Sequence, residues 1–188
     1  MVLISHTHKF IFFKTKKTAS TSVEMFFEPF CLPESAPPRP EYCDEFIGPT
    51  GIVGSRRGKA KRRLASWPQH MRAMSVLRKA GPRVFLSYFK FATVRNPFTR
   101  TLSAFRYTYH RDRDALAALS FAEHREAFNT WLDQNYFAAQ DRRMYTIAGW
   151  PVANAYIRYE HLGEDIQAIC ARLGLPCDLD RLPHTKKM

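Results

Sequence analysis

Phe10-Ile11-Phe12-Phe13-Lys14-Thr15-Lys16-Lys17-Thr18-Ala19-Ser20-Thr21-Ser22-Val23-Glu24 is the stretch on which the fold turns. Its opening apolar run suits a buried strand, beginning at Lys9 and ending at Phe13. A polar, basic loop follows. Thr21-Ser22-Val23-Glu24 then has the Thr-x-x-Glu pattern of a capping box and predicts the start of a helix. Val23, Phe26 and Phe27 supply that helix with an apolar face, and Pro29 stops it. Strand, polar loop and helix in this order aim several backbone N–H groups and a positive dipole end at one spot. Small side chains let the backbone approach an oxyanion, while hydroxyls and lysines add donors and charge. The loop is a phosphate cradle in chemical terms, yet it has no glycine. It is therefore not the nucleoside-triphosphate loop G-x-x-x-x-G-K-[ST]. The bland counterpart for the loop taken alone is a polar helix start beside solvated lysines.

Working outward, residues 29–63 form a Pro- and Gly-rich excursion without a period, with one short strand expected between 46 and 53. An excursion of this length is either functional or loose. It ends in the basic run Arg56-Arg57-Gly58-Lys59-Ala60-Lys61-Arg62-Arg63, which reads as a solvated face. A helix is expected over 71–79, ended by Gly81-Pro82, and a strand region over 85–94, rich in aromatic and β-branched residues. Asn96-Pro97 is an N-cap with proline at the first helical position and opens a helix over 97–109. Ser120-Phe121-Ala122-Glu123 is a second capping box, with Phe121, Phe128, Trp131 and Leu132 at helical spacing behind it. Residues 156–159 suit a short strand. Residues 164–173 suit an amphipathic helix stopped by Gly174. Strands alternating with helices predict an α/β protein, a single domain over residues 1–188 with a mainly parallel central sheet flanked by helices.

The chain has 188 residues and a net charge of +12, which draws anions: nucleic acid, membrane phosphates, small polyanions or acidic polymers. Apolar residues at 45% and charged residues at 24% fit a soluble globular protein. No window resembles a membrane span. The start lacks the pattern of a signal peptide, so a cytoplasmic location is expected. The cysteines Cys31, Cys43, Cys170 and Cys177 form no CxxC or histidine-paired knuckle, so no metal is expected and reduced thiols are.

A second segment sets the loop in context: Phe91-Ala92-Thr93-Val94-Arg95-Asn96-Pro97-Phe98-Thr99-Arg100-Thr101-Leu102-Ser103. Arg95 closes a strand, and the helix beyond it carries Asn96, Arg100, Ser103 and Tyr107 along one face. Arg95 and Ser103 can grip one anion, a charge-assisted donor beside a neutral one. The bland counterpart is an arginine ion pair and an ordinary polar helix face.

Together the two segments resemble the phosphate motifs of the PAPS-dependent sulfotransferases, the carbohydrate enzymes of the Golgi and their bacterial relatives. PAPS is 3′-phosphoadenosine 5′-phosphosulfate. KKTASTS is similar to the PKTASTS or PKTAGTS form, with Lys16 where proline is usual. FATVRNPFTRTLSAF is similar to FxFVRNPxxRxxSxY. Ile157-Arg158-Tyr159-Glu160-His161-Leu162 resembles a segment written RYENL. The resemblance implies a P-loop-NTPase-like sulfotransferase fold and transfer of a sulfuryl group from PAPS, as co-substrate, to an acceptor hydroxyl on a carbohydrate or glycolipid. It assigns Thr18, Ala19, Ser20, Thr21 and Ser22 to the 5′-phosphosulfate, with Lys14, Lys16 and Lys17 as the cations beside it. It makes Lys17 the catalytic lysine and gives Arg95 and Ser103 the 3′-phosphate. Of seven histidines (His6, His8, His70, His110, His124, His161 and His184), His70 stands where relatives place a histidine, and so is the candidate base. The ending Leu182-Pro183-His184-Thr185-Lys186-Lys187 is also family-like, and the absence of an anchor leans bacterial rather than Golgi. Three alternatives stand beside this reading: a nucleic-acid-binding module, a kinase of related fold, and a sulfotransferase-like nucleotide binder without turnover.

Overall fold

The structure of the protein is a computed structural model that describes residues 2–56, 65–109, 113–135 and 141–183. In chain order its elements are β1 (Val2–Ser5), β2 (Phe10–Phe13), α1 (Ser20–Phe27), β3 (Phe46–Gly48), β4 (Gly51–Val53), α2 (Ala73–Ala80), α3 (Pro82–Ser87) and β5 (Phe89–Val94). These are followed by α4 (Pro97–Thr108), α5 (Arg113–Ala117), α6 (Phe121–Gln134), β6 (Thr146–Ile147), β7 (Trp150–Pro151), β8 (Ala155–Arg158) and α7 (Leu162–Leu173). They fall into two compact units, Met1–Val94 with Asp141–Met188, and Arg95–Gln140. Residues 57–63 of the basic run, His110, and residues 184–187 of the family-like ending lie outside the described residues.

In the first unit six strands form one sheet in the order β3-β4-β1-β2-β5-β8. The strands that carry the sequence motifs are parallel: β2 pairs with β5, and β5 with β8. Antiparallel β1, β4 and β3 extend the sheet beyond β2. This is the expected α/β architecture, with a mixed sheet as its detail. The polar residues that interrupt the apolar start form a turn with Lys9 at φ 54, so residues 2–13 make a hairpin with Val2 opposite Phe13.

Alternation along β2 explains why all four of its residues are apolar. Phe10 and Phe12 face a core shared with Val23, Phe26 and Phe27 of α1 and with Ile166 and Ile169 of α7. Ile11 and Phe13 face a second core with Ala73 and Val76 of α2 and Phe85 of α3. A strand covered on both faces has no polar side to show.

Three expectations are corrected. Residues 85–87 belong to α3, not to a strand: Pro82 supplies a helix start, and the strand begins at Phe89. Residues 46–53 form a two-stranded hairpin, in which Gly51 is required because a Cβ there would meet the Ile4 carbonyl at 2.3 Å. Arg56, read as the first cation of a solvated run, is 2% exposed. Its guanidinium donates to Glu28 and to Glu24, and to the carbonyls of Glu41 and Pro40 at 2.9 and 3.1 Å. These bonds fasten the excursion to α1.

The second unit is helical. Asn96 caps α4 by accepting from the N–H groups of Phe98 and Thr99. Ser120 and Glu123 form the expected capping box on α6. Phe105 of α4 packs edge-on against Phe128 and Trp131 of α6, and Trp131 Nε1 donates to Thr108 Oγ1 at 2.9 Å. Among the described residues no helix is long and apolar enough to cross a membrane.

Candidate anion-binding site

The loop after β2 reaches α1 through two residues in the left-handed region, Lys17 at φ 60 and Ala19 at φ 55. Neither is glycine, and each such residue costs of order 1–3 kcal/mol. Left-handed Ala19 passes directly into right-handed Ser20, a turn that gathers successive N–H groups on one side. Among the described residues no side chain caps α1, and its first turn carries no acid. The expected capping box at Thr21 is therefore absent. Helix α1 starts at Ser20, and Glu24 is turned into the protein. The first-turn N–H groups and the dipole remain directed at the loop.

Hydroxyl groups hold the loop from behind. Thr15 Oγ1 donates to the Thr93 carbonyl at 2.6 Å and lies 2.8 Å from Thr93 Oγ1. Thr18 Oγ1 lies 2.7 Å from Thr15 Oγ1 and 2.8 Å from Thr93 Oγ1. All three side chains are fully buried. Ser20 Oγ donates to the Thr15 carbonyl at 2.6 Å. The hydroxyls of Thr18 and Ser20, expected to point at an anion, are thus engaged inward, and these residues offer backbone N–H groups instead.

The three lysines separate by environment. Lys14 is buried and donates to Glu24 Oε2 at 2.6 Å, so its charge is committed to the interior. Lys16 is exposed, and Lys17 is half-buried at the left-handed turn. Thr21 is half-buried and Ser22 is buried.

His70 lies beside this loop. Its Nδ1 is 3.2 Å from the Lys14 carbonyl. A carbonyl accepts and cannot donate, so Nδ1 carries the proton and Nε2 keeps its lone pair. Burial, with nearby positive charge that includes Lys14 and Lys16 in support, lowers its pKa from 6.5 to about 3. The imidazole is neutral at physiological pH. Other described histidines are tied elsewhere: His6 to the Tyr88 hydroxyl, His124 to the Leu119 carbonyl and His161 to Glu164.

In the second unit Arg95 is half-buried and its Nε donates to Thr99 Oγ1 at 3.1 Å. Ser103 is buried on α4, whereas Tyr107 is exposed. The helix face read from the sequence thus runs from exposed Asn96 to buried Ser103 and back. In the third family-like segment, the Arg158 guanidinium grips both oxygens of Asp165, at 2.7 and 2.9 Å, tying β8 to the first turn of α7. The residues that sequence reasoning missed are Thr15 and Thr93. A threonine within the apolar run of β5 was the available signal.

Over residues 1–188 the chain matches the model of a family described as "Sulfotransferase family". An uncharacterized protein of Archaeoglobus fulgidus is 31% identical to it over 113 residues, covering 58% of this chain and 88% of that protein. No solved structure matches the chain.

Proposed function

Because the chain belongs to the sulfotransferase family, we propose that it transfers a sulfuryl group from PAPS to a hydroxyl on a glycan or glycolipid. The observation that carries this reading is the strained loop at the uncapped start of α1, bonded through the Lys14 carbonyl to His70. The N–H groups from Thr18 to Ser22 take the 5′-phosphosulfate. Arg95 and Ser103 take the 3′-phosphate, the group that sets this donor apart from ordinary adenosine nucleotides. In the reaction the acceptor oxygen bonds to sulfur while the bond from sulfur to the bridging oxygen breaks. The hydroxyl proton goes to Nε2 of His70, and Lys17 stabilises the charge gathering on the departing phosphate oxygen. Lys14 acts through Glu24 and its own carbonyl, and not as a contact to the donor.

Calorimetry on one preparation with adenosine 3′,5′-bisphosphate, ATP and duplex DNA tests donor recognition. Tight binding of the bisphosphate alone, abolished in Arg95→Ala, is expected, and a preference for DNA would overturn the reading. With labelled PAPS and a glycan acceptor, Lys17→Ala and His70→Ala should each lower turnover about 100-fold or more while changing donor affinity far less. Unchanged turnover in His70→Ala would move the base elsewhere.

A further inference from the structure

We propose that Thr93 is a positioning residue for the anion loop, its hydroxyl holding Lys17 and Ala19 in their left-handed conformations from the neighbouring strand. Two non-glycine residues in that region persist when their surroundings over-determine them. Here Thr15 and Thr18 stand at the two feet of the turn that contains Lys16 and Lys17, and their hydroxyls meet at 2.7 Å. Thr93 Oγ1 lies 2.8 Å from each, closing a buried triangle. The anchor is rigid: β5 is hydrogen-bonded on both sides, with Phe13 paired to Ala92 and Thr93 to Ile157. Thr18 lies between the two strained residues, so a shift of its side chain changes φ on either side of it. The triangle therefore holds the N–H groups on which the proposed donor site depends, and this inference rests on that reading for its ligand alone.

Thr93→Val is nearly isosteric and deletes one oxygen. The bond from Thr15 to the carbonyl of residue 93 survives, so the variant isolates the hydroxyl. Backbone couplings and chemical shifts of Lys17 and Ala19, measured by NMR in the full chain, should lose their left-handed signature. Affinity for adenosine 3′,5′-bisphosphate should fall about tenfold, the scale of one lost hydrogen bond in a buried cluster. Thr93→Ser, which keeps the oxygen and loses the methyl, should restore both. If Thr93→Val does not fold, Thr18→Val opens the same triangle from the loop side and should show the same loss of signature. A Val variant that keeps the left-handed signature, or a Ser variant that fails to recover it, overturns the proposal. If wild-type protein binds no bisphosphate, the donor reading fails, and the backbone signature by itself still decides the role of Thr93.

Discussion

The proposed base, His70, has a basicity that depends on what occupies the loop beside it. Burial first, and then nearby positive charge that includes Lys14 and Lys16, holds its pKa at about 3, too low to match an alcohol at neutral pH. An anion bound at the loop offsets those cations, so the imidazole becomes more basic as the donor arrives. NMR titration of His70 should show its pKa rising when the bisphosphate is added, and no movement would remove it as the base. Stability supplies a second readout. The folded-state pKa lies below the unfolded 6.5, so the unfolded chain takes up the proton first. The stability linked to neutral His70 is present above pH 6.5 and is lost as pH falls towards about 3. The slope is at most about 1.4 kcal/mol per pH unit, reduced by solvent at the exposed edge of the ring. Denaturant midpoints measured across that window should fall less steeply in His70→Gln than in wild type. The sequence offered His70 as one histidine among seven. Its bond to Lys14 spans 56 residues and leaves no local mark.

Two segments with the same capping pattern behave differently, and burial decides between them. At Ser120 the serine Oγ accepts from the Glu123 N–H, while Glu123 accepts from the Ser120 N–H at 2.7 Å. Both residues are exposed, and nothing competes for the acid. At Thr21 the acid is Glu24, which is fully buried and bonded to Lys14 and Arg56. Leaving those cations buried without a counter-charge costs several kcal/mol, more than a cap returns. Ser120→Ala should therefore lower stability by about 1 kcal/mol, whereas Thr21→Ala should change it by less than about 0.5 kcal/mol. Chemical denaturation of the two variants checks the contrast, and an equal loss from both would restore a cap at Thr21. The example also marks what was legible. Strand β2, helix α7 with its Gly174 stop, and the Asn96 cap are set by neighbours in sequence and read correctly. The environments of Lys14, Arg56 and Thr93 depend on partners 10 to 78 residues away, and propensity carries no information about them.

On the scale of the whole chain, charge is segregated in a way that bears on the acceptor. No Asp or Glu occurs between Glu45 and Asp112. Within that interval Arg56 is withdrawn into the interior, while Arg72, Arg78, Lys79 and Arg83 are exposed on and beside α2 and α3. The segment joining β4 to α2 also carries His70, so the candidate base lies just before an acid-free helix pair. A field of one sign attracts an acidic polymer and does little for a neutral one. Screening supplies the test, because the Debye length shrinks from about 10 Å at 0.1 M salt to about 3 Å at 1 M. With a uronate-bearing or sulfated polysaccharide as acceptor, KM should rise steeply with ionic strength, whereas with a neutral oligosaccharide it should stay nearly flat. Arg78→Glu with Arg83→Glu should raise KM for the acidic acceptor and leave bisphosphate affinity in place. A salt-independent KM for the acidic polymer, or an equal loss for both acceptors, would assign these cations to solvation and leave acceptor choice to the residues around His70.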